Sequence, residues 1–336
     1  MEKCNAQFLR SKYLIQVIVK KNPLKPSNEE LKQALTQYFS NSPSIKSELE
    51  ELALITCCSL ADSIYRKVAK IALQDAPPSL KTNLIVHLSA NQSLSPIATT
   101  VGDNEAFRVS IPIYFIHRLL SVAPTRNGRE PSILEDYYVP SILIAAMAAY
   151  AHELTHVFIG HLVTSESSAQ EAHADYMGGA LTWSWLHNTD IQTLVGISPA
   201  DVEENCIFAF LHLASIFSDQ LSQESLYLPR VARMLVYAGG AAFAADNRDI
   251  QLAQKLETAV HALPKIPNSL FSSEQIESEF KKMNALLTEE VFTKLGTVLK
   301  NVQREKRSWY DLSQHLKPIK KPLNHIVKRD KKDPNK

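Results

Sequence analysis

A short stretch in the middle of the chain combines the residue types and the spacing of a metal-binding enzyme. It reads His152-Glu153-Leu154-Thr155-His156, the pattern HExxH. Residues four apart on an α-helix lie about 40° apart around the axis and one turn apart along it, so both imidazoles can bind one ion. Glu153 lies about 100° from His152, where its carboxylate can activate a water molecule beside that ion. We therefore predict a catalytic zinc site with Glu153 as its general base.

The residues around this motif argue against the alternative, a polar patch on a surface helix. Residues 142–150 are almost wholly apolar, and residues 157–159 continue the apolar run. Polar groups inside such a helix are costly unless they are paired or bound to a metal. Zinc binding is therefore the better explanation of His152 and His156.

The third metal ligand is predicted on a second helix, because a catalytic zinc site usually has three protein ligands and a fourth position for water. Glu171 follows His156 by fifteen residues, in the first turn of a predicted helix, Ser168–Leu186. The short connection at about residues 162–167 favours antiparallel packing, which returns Glu171 to the histidines. Asp175, one turn further on the same face, can orient a ligand histidine through its free ring N–H.

Other interpretations of these acidic residues stay open. Glu171 also fits a capping box with Ser168, and Glu166 in the connection is a rival third ligand. Asp175 could instead be a helical aspartate that faces solvent.

The remaining histidines are predicted to be structural. His161 suggests the metzincin pattern HExxHxxGxxH, but it follows His156 by five residues rather than six and lies about 140° away from it. A place at the helix C-terminus, where a cationic imidazole is favoured, suits it better. His173 faces away from Glu171. Four others have no partner at ligand spacing: His87, His117, His212 and His261.

The order of the motifs, HExxH on one helix and ExxAD opening the next, resembles the glutamate-ligand zinc metallopeptidases, the gluzincins. Residues 150–161 and 171–175 are most similar to the Lit-type phage-exclusion peptidases of bacteria, and the resemblance extends over residues 140–187. It implies a zincin-like pair of active-site helices in a soluble zinc endopeptidase that cuts an intracellular protein, in phage exclusion or a stress response. It carries over to five positions: His152, Glu153, His156, Glu171 and Asp175.

The chain departs from the pattern of this family downstream of the second helix. Such peptidases often have a His-Pro pair followed by an arginine, whereas residues 227–233 read YLPRVAR, without a histidine. Tyr227 is a candidate to hydrogen-bond a developing oxyanion, and the alternative is a loop aromatic before a helix. The missing histidine leaves two other functions open: a catalytically silent zinc-binding interaction protein, and a zinc hydrolase of a non-peptide substrate. The intact Glu153 favours catalysis.

Charge is spread unevenly along the 336 residues, although the net charge is only +1. Residues 301–336 hold eleven Lys/Arg and four Asp/Glu, a surplus of +7, so the rest of the chain carries −6. We expect this basic tail to be solvated and mobile. Trp309 and Tyr310 lie among its cations, which allows weak RNA or ribosome contact. No RNA-binding motif is present, so nucleic acid is not an expected partner.

Cysteine usage and hydropathy indicate a protein of the reducing cytoplasm. The four cysteines include no C-x-x-C pair and form no disulfide framework: Cys4, Cys57, Cys58 and Cys206. The apolar run at residues 13–19 is too short for a signal peptide, and no continuous apolar run of about 18 residues predicts a membrane span. We expect a protein or peptide substrate and one Zn²⁺ per chain.

The predicted fold class is α+β and predominantly helical, with a small β-sheet near the HExxH helix. Strands are predicted at Leu84–Leu88 and Phe107–Ile111, with a turn at residues 102–104 between them. Phe107–Ile111 is a candidate edge strand for binding a substrate backbone by strand addition, and the alternative is a plain sheet strand.

In the rest of the chain, helical periodicity predicts helices, and proline and glycine residues mark their ends. Helices are predicted at Glu29–Phe39, Ile45–Leu73, Ile113–Val122, from Pro140 through the HExxH motif, Ser168–Leu186, Ala200–Leu221, Pro229–Ala245, Arg248–Ala262 and Ser273–Lys300. We divide the chain into an N-terminal helical region (1–78), a zincin-like metallopeptidase domain (79–300) and the tail (301–336).

Overall fold

The structure is a computed structural model, and it describes residues 29–41, 45, 47–73, 84–93, 95–101, 106–122, 138–159, 168–217, 230–245 and 274. Within these ranges the chain forms eight α-helices, one short 3-10 helix and three β-strands. The helices are α1 (Glu29–Asn41), α2 (Glu48–Ala72), α3 (Ile113–Val122), α4 (Val139–Ile159), α5 (Ser168–Leu186), α6 (Thr189–Val195), α7 (Val202–Phe217) and α8 (Arg230–Ala244). The strands are β1 (Leu84–Ser89), β2 (Ile97–Val101) and β3 (Ala106–Pro112). The predicted class, α+β with mostly helix, is confirmed.

Seven of the eight helices match predicted ones, with ends that differ by up to four residues. Capping explains two differences. The Ser47 side chain accepts a hydrogen bond from the Glu50 backbone N–H at 3.1 Å, so α2 begins three residues later than predicted. The short helix α6 has no predicted counterpart, and it is bounded by the Asn188 cap and by Gly196 in the left-handed conformation (φ 81°).

Several predictions fall outside the described residues. They are the helix at Arg248–Ala262, the helix at Ser273–Lys300 apart from residue 274, and the basic tail at 301–336.

The sheet has the strand order β1-β3-β2, with β3 parallel to β1 and antiparallel to β2. Phe107, Val109 and Ile111 are buried and Arg108 is exposed, which is the alternation of a strand with one covered face. β3 is central and both of its edges are paired, so Phe107–Ile111 is a plain sheet strand and not the candidate edge strand. β2 has no counterpart among the predicted strands, since its sequence IATTV is short and has only two large apolar residues.

Helix α4 lies at the centre of the molecule, in contact with α2, α3, α5, α7 and the sheet. Every side chain from Ile142 to Phe158 except Glu153 is buried. The stretch Val139–Phe158 is long and apolar enough to cross a membrane, but 94% of it is buried inside the protein, as in the core helix of a soluble protein. All eight helices and the sheet contribute to one hydrophobic cluster, so the segments before and after the predicted boundary at residue 78 share a core.

Helices α5 and α8 cross at close range because glycines lie at the crossing. A Cβ at Gly179 would overlap the carbonyl oxygen of Tyr237, and a Cβ at Gly240 would overlap that of Tyr176. With no side chain between the two backbones, α8 lies close enough for its own side chains to reach the interface of α4 and α5.

We expect Gly240→Ala to destabilise the protein by about 1–3 kcal/mol, because the added methyl group forces the two backbones apart. Gly239→Ala is the matched control: Gly239 is exposed, and a Cβ there meets only Tyr176 Cε2 at 3.9 Å. Because alanine is the better helix former, this control should stabilise by about 0.5–1 kcal/mol. Urea denaturation measures both, and equal midpoints for the two variants would contradict the close crossing.

Candidate metal centre

Two imidazoles of α4 and one carboxylate of α5 converge in the core. His152 Nε2 and His156 Nε2 are 3.0 Å apart. Glu171 places Oε2 3.2 Å from the first of these nitrogens and Oε1 3.5 Å from the second. Glu171 lies in the first turn of α5, which packs along α4. One ligand atom of each residue lies within 4.8 Å of the others, so the three residues form a candidate metal-binding cluster.

The spacing of these donor atoms fits a small metal ion. In a tetrahedral zinc site with ligand bonds of about 2.0–2.1 Å, neighbouring ligand atoms are about 3.3 Å apart. The two imidazole nitrogens are 3.0 Å apart, and each faces a different oxygen of Glu171, at 3.2 and 3.5 Å, so the contacts are near that spacing but involve both carboxylate oxygens. Glu171 Oε2 is buried without a well-oriented hydrogen bond, which is costly unless a cation takes that place.

Asp175, one turn after Glu171, ties the cluster to α8. Its Oδ1 lies 2.8 Å from His152 Nδ1, the ring nitrogen that faces away from the cluster, although the ring is not fully aligned for a hydrogen bond. Arg233 donates from Nε to Oδ2 at 2.7 Å and from Nη2 to Oδ1 at 2.8 Å. Asp175 and Arg233 are only 1% and 4% exposed, so this is a buried bidentate ion pair. A carboxylate in this position fixes the tautomer and the orientation of a metal-binding histidine.

Charges within the cluster shift several pKa values. Burial lowers the pKa of His152, but Asp175 and Glu171 outweigh it and raise the pKa to about 10, so protons and a cation compete for this imidazole. Burial raises the pKa of Glu171, but the close imidazoles of His152 and His156 outweigh it and hold the pKa well below its usual range. Burial likewise raises the pKa of Asp175, and Arg233 followed by His152 lowers it below its usual value. Both carboxylates are therefore ionised at neutral pH.

Glu153 lies at the rim of the cluster. Its Oε1 is 4.0 Å from His152 Nε2, and its side chain is 12% exposed, close to the 11% of His156. It is not one of the three clustered ligands. The role of Glu153 as a general base stays a prediction.

The other described histidines have packing or hydrogen-bonding roles, and none of them belongs to the cluster. His117 hydrogen-bonds to Tyr38 and Glu50, and His212 to Ser141. His87 contacts the neighbouring strand at Ser110 Oγ. These three histidines therefore contact other side chains and not the cluster.

His173 is fully buried on α5. Burial, followed by the charge of His156, lowers its pKa to about 4, so it is neutral at physiological pH. The other residues considered from the sequence lie outside the described part of the chain: Tyr227, Glu166, His161 and His261.

Arg233 is the site residue whose role the sequence pattern does not reveal. It is the second of two arginines after Pro229, and no ligand spacing includes it. Its partner Asp175 lies 58 residues earlier in the chain, so only the packing of α8 on α5 joins them. The sequence offers one indication of a buried ion pair: Arg233 is the single charged residue in the otherwise apolar stretch VARMLVY, residues 231–237.

No protein-family model, no curated protein and no solved structure matches this chain. The fold and the site together define an α+β protein with a candidate metal centre in its core.

We expect the purified protein to contain about one zinc per chain and His156→Ala to contain almost none, because two ligands cannot hold the ion. Glu171→Gln should lower the zinc affinity by more than about 10- to 100-fold. A loss of that size is typical when a residue that hydrogen-bonds to a ligand, rather than a ligand itself, is removed. His187→Ala, which changes an exposed histidine just after α5, is the control and should keep its metal. Plasma mass spectrometry measures the zinc content, and full occupancy in His156→Ala would rule out this ligand set.

We expect Arg233→Met to cost about 3–5 kcal/mol, because Asp175 is left buried and unpaired. Adding Asp175→Leu should restore most of the stability, since an apolar pair replaces the ion pair. The double variant should still bind zinc about 10- to 100-fold more weakly, because His152 Nδ1 loses its carboxylate. Denaturation and zinc titration separate the two effects, and a double variant with parental zinc affinity would show that Asp175 does not orient His152.

Proposed function

We propose that this protein is a zinc-dependent endopeptidase that cuts an intracellular protein. The observation that carries the proposal is the convergence of His152, His156 and Glu171 within 4.8 Å, with Glu153 beside them. Two imidazoles and one carboxylate are a ligand set of catalytic zinc, whereas structural zinc sites usually have four protein ligands. The described residues supply no fourth ligand to this cluster, which favours an open position for water.

The charges around the cluster are compatible with a bound cation. Glu171 and Asp175 are ionised and buried, and Arg233 balances one of their two charges. The remaining negative charge is offset either by a proton on His152, whose pKa is raised to about 10, or by a cation bound in its place.

The residues of the chain have distinct roles in peptide hydrolysis. When bound, zinc supplies a Lewis acid for a water molecule and a peptide carbonyl. Glu153 accepts a proton from the attacking water and returns it to the leaving amine as the C–N bond breaks. Asp175 and Arg233 keep the imidazole of His152 oriented and do not exchange protons with the substrate.

The edge of β2 supports a peptide as the substrate. β2 pairs with β3 along one side, no other described strand pairs with it, and it packs against α4. Extended peptides bind such edges by strand addition. We therefore assign to β2 the substrate-binding role that the sequence suggests for Phe107–Ile111.

The proposed biological setting follows from the motif order and the thiols. HExxH with a downstream ExxAD supports a relationship to the Lit-type peptidases, and hence a role in phage exclusion or a stress response. Cys57, Cys58 and Cys206 are free and buried, which supports a reducing cytoplasm. The alternatives are a catalytically silent zinc-binding protein and a zinc hydrolase of a non-peptide substrate.

We expect Glu153→Gln to keep about one zinc per chain and to lose cleavage by about 10²- to 10⁴-fold, because glutamine cannot accept the proton of the water. New N-termini in a mixture of denatured proteins, counted by mass spectrometry, measure cleavage. Glu204→Gln, which changes an exposed glutamate of α7, is the control and should keep both zinc and activity. A Glu153→Gln variant that cleaves at the parental rate would refute the assignment. A zinc-loaded parent that produces no new N-termini would favour the two alternatives.

A further inference from the structure

Tyr237 is a buried tyrosine whose hydroxyl lacks a well-oriented hydrogen bond. Its side chain is 1% exposed, and its hydroxyl forms no well-aligned hydrogen bond among the described residues, although Asp175 is close enough to act on it. A buried hydroxyl in this state costs about 1–3 kcal/mol, so its presence calls for a reason. Tyr237 lies on α8 four residues after Arg233, and therefore on the same helix face.

Gly178 on α5 makes room for the hydroxyl end of this ring. A Cβ at Gly178 would lie 2.7 Å from Tyr237 Cε1, the ring carbon next to the one that bears the hydroxyl, and 3.4 Å from the backbone nitrogen of His152. Gly178 is three residues after Asp175, on the same side of α5. Phe210 flanks the ring from α7, with 5.5 Å between the ring centroids. The ring is therefore held where α4, α5 and α8 meet, next to the metal centre.

Among the described residues, Oδ2 of Asp175 has one well-aligned donor and room for a second. A carboxylate offers about four lone-pair positions. Oδ1 contacts both His152 Nδ1 and Arg233 Nη2, whereas Oδ2 accepts a hydrogen bond from Arg233 Nε. Burial, followed by the charge of Asp175, raises the pKa of Tyr237, so its hydroxyl keeps its proton and is available as a donor. The Tyr237 hydroxyl is thus close to a carboxylate whose Oδ2 has room for a second donor.

We propose that Tyr237 is a positioning residue of the metal centre, whose hydroxyl donates to Asp175 Oδ2 and thereby holds the carboxylate that orients His152. Without this donor the carboxylate is held on Oδ2 by Arg233 alone and can turn away from the imidazole. The inference rests on the metal centre of the proposed function, but it does not depend on the substrate or on cleavage.

Tyr237→Phe tests the inference because it keeps the ring and removes only the hydroxyl. We expect the zinc affinity to fall about 10-fold. Such a loss is typical when a group that helps to orient a metal-binding histidine is removed. The melting temperature of chelator-treated protein should fall only slightly, because one buried hydrogen bond is lost while the packing of the ring is kept. Competition with a chromophoric chelator measures the affinity, and calorimetry measures the melting temperature.

Tyr150→Phe is the matched control. Tyr150 is equally buried on α4, its hydroxyl also lacks a partner, and its ring lies between Tyr65 and Trp185, at centroid distances of 4.9 and 6.2 Å. The zinc affinity of Tyr150→Phe should equal that of the parent, because the ring packs between Tyr65 and Trp185 rather than against Asp175.

Three results would overturn the inference. One is parental zinc affinity in Tyr237→Phe, and another is an equal loss of affinity in Tyr150→Phe, which would reflect general loosening of the core. The third is a much lower melting temperature with unchanged affinity, which would make the hydroxyl purely structural. If the parent binds no zinc, the proposed function is refuted together with the inference. The three results above would refute only the role of Tyr237 and would not contradict the zinc site or its proposed activity.

Discussion

The carboxylate of Asp175 is buried where three helices meet, and its charge must be balanced there. Arg233 from α8 binds it with two hydrogen bonds, and His152 from α4 contacts it at 2.8 Å. Removing either partner would leave a charge in the interior, which is far more costly than losing an exposed ion pair. This balance of charge holds α4, α5 and α8 in one arrangement, and the candidate metal ligands lie on two of those helices.

Close packing makes that arrangement possible. Arg233 reaches Asp175 only because the backbones of α5 and α8 approach each other at Gly179 and Gly240. The same approach brings Tyr237 against Gly178, so glycines that look like helix-weakening residues in the sequence are required by the geometry of the site. The stability of the helix pair and the order of the metal centre therefore depend on the same contacts.

The apolar surroundings of α4 have a chemical consequence as well. In a dry interior, electrostatic interactions are stronger than in water, and the ligands cannot easily turn to other partners. Two imidazoles and a carboxylate are therefore held close together, with Glu153 beside them at 4.0 Å from His152 Nε2. This arrangement and the edge of β2, which packs against α4, support the proposed hydrolysis of an extended peptide.

The sequence by itself determined the features that depend on local geometry. Helical periodicity located α4 and α5, and the i, i+4 spacing of His152 and His156 together with Glu171 in the next first turn predicted a cluster that the structure brings together. The tertiary structure decided the features that join distant segments: the strand order that makes β3 central, the presence of β2, the Arg233–Asp175 pair and the place of Tyr237. The physical reason is that helix geometry follows from neighbouring residues. The pairing of strands, and of side chains 58 residues apart, depends on how whole elements pack.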